Sequence, residues 1–328
     1  MNIKPYFSNN SSYQKVIDTL TYIRSKVIEA KYYTIKNLPD YVDFDEGVGG
    51  LSEQIMTWAT ADLTGSFESG NFGSNVDNER VESADIFLTN KMFYRNKWKK
   101  GLSYNIIDVQ QANQAQVINL IEKKEEARKR NWDLGIQKTI FLGSSVNTKI
   151  TGLLNNPEIT FDTATITGKM ADLTDQAFMA LCTTLPNLFW NNSNKTAMFD
   201  TFIMPDDDFM ALQMPASATF PVKTRFQYMT ETLNAIARAY NGKDCNIMPC
   251  SYCNQLHNQL GQDNLGMNMY VLYRKDVDVL YYDMARDYTA MPFYTYNGFD
   301  FNNVAWGMYG GACILRPQEV YYMGYRQA

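Results

Sequence analysis

Long apolar runs, an excess of positive charge and histidine are all scarce in this chain of 328 residues, which has one histidine. No apolar run approaches the roughly 20 residues that a membrane-spanning helix needs, so no membrane partner is expected. Lysine and arginine number 30 against 35 acids, a formal net charge of −5. A chain that gripped nucleic acid through its phosphates would lean the other way. Nucleic acid could still be enclosed, because a container need not hold its contents tightly. The five cysteines are odd in number, and Met1–Pro5 lacks the apolar stretch of a signal peptide. A disulfide framework is therefore not expected, and the chain is expected to stay in the cytosol where it is made. No Gly-Lys-Ser/Thr follows Gly47, Gly49 and Gly50 or Gly310 and Gly311, so these read as backbone turns and not phosphate cradles.

What is present suits a folded protein: 45% hydrophobic and 20% charged residues, with length for one large or two modest domains. Residues 1–11 are polar. Ser12 is placed to cap a helix running to Ala30, with Val16, Leu20, Ile23 and Val27 as its apolar stripe. Asp40, Asp43, Asp45 and Glu46 form an acidic cluster after Leu38-Pro39. The segments Gln54–Gly65 and Ile86–Trp98 favour strand, and Ser66–Ser83 between them offers little to bury. This is a long β-hairpin, and two strands alone are marginal in water, so it asks for a surface on a neighbouring subunit. A helix is expected over Gln111–Phe141, with Val117, Leu120, Ile121, Ala127, Leu134 and Phe141 facing inward. About 30 residues at 1.5 Å each would span roughly 45 Å.

Beyond the turn Thr148–Pro157 the pattern becomes mixed. Helices are expected over Thr174–Leu185, from Pro205-Asp206-Asp207-Asp208, and over Thr224–Tyr240, with strands at Thr201–Met204 and Asn246–Tyr252. The last 59 residues hold 11 of the 22 tyrosines, which favours a packed sheet. There is no internal repeat or low-complexity linker.

Three clusters could carry chemistry. Cys245, Cys250, Cys253 and His257 have the residue types that tetrahedral zinc requires. Against zinc, a strand through Ile247-Met248-Pro249 would separate Cys245 from the others, and free cysteine is commonly buried. Asp206, Asp207 and Asp208 suit a divalent cation, but they stand at a helix start, where acids favour the positive end and free N–H groups. Lys91, Arg95, Lys97, Lys99 and Lys100 make the second hairpin strand basic. That strand is either a solvated edge protected from stray pairing or one that meets an acidic surface of a neighbour, such as Asp40–Glu46. A Ser-His-Asp or Cys-His device would depend on His257, with nothing nearby to orient it. No catalytic, cofactor-binding or metal-binding residue is assigned, and no cofactor is expected.

Two motifs carry a resemblance. Gly152-Leu153-Leu154-Asn155-Asn156-Pro157 follows the long helix, and Gly310-Gly311-Ala312-Cys313-Ile314-Leu315-Arg316-Pro317 runs into Val320-Tyr321-Tyr322. In order and spacing the chain resembles the major capsid proteins of tailed bacteriophages, the Hong Kong 97-like fold, in the branch with a Gly-Leu-Leu-Asn-x-Pro turn.

The resemblance implies an α+β fold. Residues 1–50 would be an N-terminal arm, 51–107 an extended loop, and 108–168 a peripheral domain with its spine helix. Residues 169–284 would be an axial domain, and 285–328 strands returning to the peripheral domain. It further implies hexamers and pentamers of an icosahedral shell around double-stranded DNA, in a virion assembled from subunits made in the host cytoplasm. Scaffolding, portal and decoration proteins are the implied partners. A cellular nanocompartment shell is the alternative within the fold, and a zinc-containing enzyme or binding module the alternative outside it. Some relatives carry a helical scaffolding segment that is later removed. With about 50 residues before the loop, the expectation here is a separate scaffolding protein or none. The lysine and asparagine that cross-link some relatives' loops have no matched positions.

Overall fold

The computed structural model describes residues 31–63, 85–107, 110, 120–217, 222–258 and 266–326. The expected helix Ser12–Ala30, the hairpin's connecting segment and residues 111–119 of the long helix lie outside these.

A five-stranded sheet forms the centre, in the order β5 (Phe161–Asp162), β14 (Val320–Tyr325), β8 (Asn268–Tyr273), β6 (Thr201–Pro205), β7 (Asn246–Cys250). Every residue of β6, β8 and β14 is buried, because both faces of the sheet are covered. Strand alternation divides their side chains between two cores. Ile203, Val271, Tyr273, Val320 and Tyr322 pack with Ile136, Ile140 and Phe141 of α1 (Leu120–Leu142). Phe202, Met204, Tyr270, Leu272 and Tyr321 pack instead with Phe178, Leu185 and Phe189 of α2 (Asp175–Asn192) and Met229 and Leu233 of α4 (Arg225–Asn241).

Local chemistry sets the helix ends. Thr224 and Gln227 form a reciprocal capping box at the start of α4, and Gly242 ends it at φ 68°. α2 begins where expected, with Thr174 as its cap, but it continues through Pro186 to Asn192 and does not stop at Leu185. Leu185, Pro186 and Phe189 are buried, and that packing outweighs the hydrogen bond that proline removes. α3 (Asp206–Ala211) begins at the three acids, and α5 (Gln255–Asn258) is one short turn.

The hairpin is present as β2 (Gln54–Leu63) and β3 (Asp85–Tyr94), paired from Gln54↔Tyr94 to Leu63↔Asp85. Among the described residues these strands pair only with each other. The second strand does not run unbroken to Trp98, because the ladder stops before Arg95. β4 (Asn96–Asn105) then pairs along its length with β12 (Asp300–Tyr309), which also carries β10 (Arg286–Ala290) and β11 (Tyr294–Thr295). α1 packs on one face of this second sheet through Trp132, which meets Trp98 at a centroid distance of 5.1 Å. A third sheet joins β1 (Phe44–Glu46), β9 (Leu280–Met284) and β13 (Ala312–Ile314). β14 lies in the central sheet between β5 and β8, whereas β12 pairs with β4 in the second sheet.

Candidate functional site at the hairpin root

The end of α1 is where the two motifs meet. A helix terminus leaves its last carbonyls without intrahelical partners. Here each finds one. Gly143, at φ 66°, bonds Thr139 O at 3.0 Å. The amides of Leu153 and Leu154 bond Ile140 O at 2.7 Å and Phe141 O at 2.9 Å, and Asn155 Nδ2 donates to Leu142 O at 3.2 Å. Asn155 Oδ1 in turn accepts from Gly152 N at 2.6 Å. A Cβ on Gly152 would stand 2.4 Å from both Phe141 O and Gly143 N, so only glycine lets the turn lie against the helix end. The second motif docks on the first. Ala312 N bonds Thr151 O at 3.0 Å, and a Cβ on Gly311 would meet that oxygen at 2.3 Å.

Gly310 leads to Asp283, whose main-chain oxygen accepts the Gly310 amide at 2.8 Å. The Asp283 side chain is fully buried and is gripped by Arg95, Nε to Oδ2 at 2.5 Å and Nη2 to Oδ1 at 2.6 Å. The remaining guanidinium protons reach Val48 O at 2.6 Å, Gly50 O at 3.1 Å and Ser52 O at 3.3 Å. Gly47, Gly49 and Gly50 have φ values of 76°, 67° and 58°, which turn those carbonyls inward around the cation. One arginine thus ties together the entry to the hairpin, its exit and the body. Lys97 to Glu53 at 2.5 Å and Lys91 to Glu158 at 2.6 Å add exposed pairs at its sides.

Residues 74–325 match the family described as Major capsid protein. The chain belongs to the major capsid protein family. Its role is that of a structural subunit of a capsid, and its place is the virion. The fold is that of tailed-phage capsids. The capsid of Myoviridae phage XM1 is similar at 14% identity and a TM-score of 0.74, over 94% of this chain and 97% of that one. Mycobacterium phage Bobi gives 10% identity and 0.58, over 96% and 98%. The capsid of a native GTA particle gives 8% and 0.58, over 98% and 100%. No curated protein matches the sequence.

The five bases do not form one edge of this capsid subunit's hairpin. Lys91 alone lies in the hairpin, Arg95 is a buried root, and Lys97, Lys99 and Lys100 are exposed on β4. Of the acidic cluster, Asp43 pairs with Lys275 of the same chain at 3.2 Å. Cys245 lies in the core beside α2 and α4, while Cys250 and Cys253 lie in the core beside α1. Among the described residues no group of three His, Cys, Asp or Glu side chains could hold a metal ion. His257 Nδ1 instead faces Ser251, including its main-chain oxygen at 3.0 Å. The aspartates separate as well. Asp206 accepts from the Asp207 amide and from Asn254, while Asp208 is buried and accepts from the Tyr270 hydroxyl. Asp283 escaped sequence reasoning, although one acid in the apolar run Leu280–Met284 is the signal that a buried cation must answer it.

Proposed function

We propose that this capsid protein assembles with copies of itself into pentamers and hexamers that close an icosahedral shell around double-stranded DNA. The observation that carries this reading is the rooted two-stranded ribbon. Its root is fixed by a buried arginine, and among the described residues its two strands pair with no third strand, a marginal arrangement in water. A neighbouring copy supplies the missing surface. Residues 51–107 then act as the extended loop, α1 as the spine of a peripheral domain, and roughly residues 169–284 as the axial domain. The N-terminal 50 residues serve as an arm between subunits.

In this reading subunits are made in the host cytoplasm and meet scaffolding, portal or decoration proteins during assembly, and the role involves no catalysis. The net charge of −5 favours DNA held by enclosure over DNA held by tight contact. Nuclease treatment of purified virions tests the contents. Protected double-stranded DNA is expected, and an enclosed enzyme with no nucleic acid would make the particle a nanocompartment.

A further inference from the structure

The tripeptide Tyr-Asn-Gly occurs twice in the chain, at 240–242 and at 296–298, and the fold treats the two copies differently. In an asparagine–glycine pair the glycine nitrogen can attack the asparagine side-chain amide, because no Cβ stands in the way. Asn241 is the last residue of α4, and its side chain donates to Met198 O. The Gly242 amide is spent on Arg238 O at 3.0 Å, in the turn that ends the helix. That copy is a helix cap, with both reacting groups held in other bonds.

Asn297 and Gly298 stand instead in the exposed turn from β11 to β12, which Thr295↔Phe301 closes. Asn297 Oδ1 accepts from the amides of Phe299 at 3.0 Å and Asp300 at 2.8 Å. Bonds to residues two and three places ahead fold the side chain forward over Gly298. They also aim two N–H groups at the oxygen on which negative charge develops when the amide carbon is attacked. Asn297 Nδ2, the group that would depart, donates to Asp300 Oδ2 at 2.7 Å. The attacking nitrogen has a partner too, since Gly298 N donates to Thr295 Oγ1 at 2.8 Å. Gly298 has φ 75°, and apart from its chain neighbours nothing lies within 4 Å of where a Cβ would stand.

We propose that Asn297 is a site of spontaneous deamidation assisted by this turn. The Gly298 N–H proton passes to water through the Thr295 hydroxyl, and the freed nitrogen bonds Asn297 Cγ while the Phe299 and Asp300 amides hold the charge on Oδ1. The Cγ–Nδ2 bond then breaks. Nδ2 takes a proton from water and leaves as ammonia beside the Asp300 carboxylate. Water opens the resulting succinimide at either carbonyl, giving aspartate or isoaspartate at position 297. No oxidant or cofactor enters. The product sets a new negative charge against Asp300 where a hydrogen bond stood before, and like charges at that range repel. The isoaspartate form also adds a methylene to the backbone of the turn. The reaction runs one way, so this exposed turn, with Tyr296 and Phe299 on either side of the pair, records the age of the subunit.

The test uses the full-length protein, held at mildly alkaline pH in heavy-oxygen water and read by mass spectrometry of its peptides. Opening of the succinimide fixes one heavy oxygen per event, which separates conversion during the incubation from earlier conversion. In the folded protein Asn297 should convert at least tenfold faster than Asn241, and at least as fast as it does in urea. Thr295→Val, checked for folding by circular dichroism, should slow Asn297 severalfold and leave Asn241 unchanged. Equal rates at the two sites in the folded protein overturn the proposal. So does a folded Asn297 that converts more slowly than in urea, which would make the turn a protecting one. An unchanged rate in Thr295→Val overturns the part assigned to that hydroxyl.

Discussion

Arg95 and Asp283 meet through two nearly parallel hydrogen bonds, 2.5 and 2.6 Å long, with both side chains sealed from solvent. The same guanidinium holds three carbonyls of the turn that feeds the hairpin, so the pair anchors the hairpin's root. Removing one partner leaves the other charge buried and alone, which costs about 3–5 kcal/mol. Asp283→Asn and Arg95→Met should each destabilise the unassembled subunit by that amount in urea denaturation. Arg95→Lys should do little better, because an ammonium cannot reproduce the planar fork. Combining Arg95→Met with Asp283→Leu should recover part of the loss. Additive losses in the double variant would contradict the pairing.

The closure of α1 gives a second prediction. Asn155→Ala strands the Gly152 amide and the Leu142 carbonyl in a buried setting. At about 1–3 kcal/mol for each of the two unmade bonds, the loss should be about 2–6 kcal/mol. Gly152→Ala should be at least as harmful, because its Cβ would press on backbone atoms that cannot swing aside. An alanine tolerated at either site, read from the urea midpoint, would refute this account of the motif.

Asp208 makes stability depend on pH. Burial raises its pKa above the ordinary 3.8, against the lowering effect of the Tyr270 hydroxyl and Lys169. A carboxyl with a raised folded pKa binds its proton more readily in the folded state. Its penalty is therefore full above the folded pKa and fades as pH falls toward 3.8. For Asp208→Asn, the melting temperature relative to the parent should rise with pH through that window and level off above it. A difference that grows toward acid would reverse the sign and the argument.

The cysteines should be inert. All five are buried, and burial pushes the Cys182 thiol up to about 12 and those of Cys245, Cys253 and Cys313 well above the usual range. A thiol reagent should label none of them in the native subunit, and a chelator should leave the melting temperature unchanged. One zinc per chain by elemental analysis would restore the metal reading.

The hairpin and the order of the helices after Thr174 were legible in the sequence because their signals are local: β-branched and aromatic runs for the strands, and apolar stretches bounded by polar turns for the helices. The role of Arg95 was hidden, since it sits in a run of bases while its partner lies 188 residues away. The same distance effect concealed why Gly311 is glycine, a question answered only by Thr151 O. The position of β14 could have been inferred, because Val320–Tyr325 is apolar at nearly every residue and therefore suits a strand covered on both faces. Pro186 misled because proline usually ends a helix, and only the core beneath it explains why α2 continues.

The most direct test of the central claim, that this chain builds a closed shell from copies of itself, is electron microscopy of the purified protein beside light scattering across concentration and salt. Closed particles, or pentamers and hexamers, are predicted. A monomer that persists throughout would contradict it.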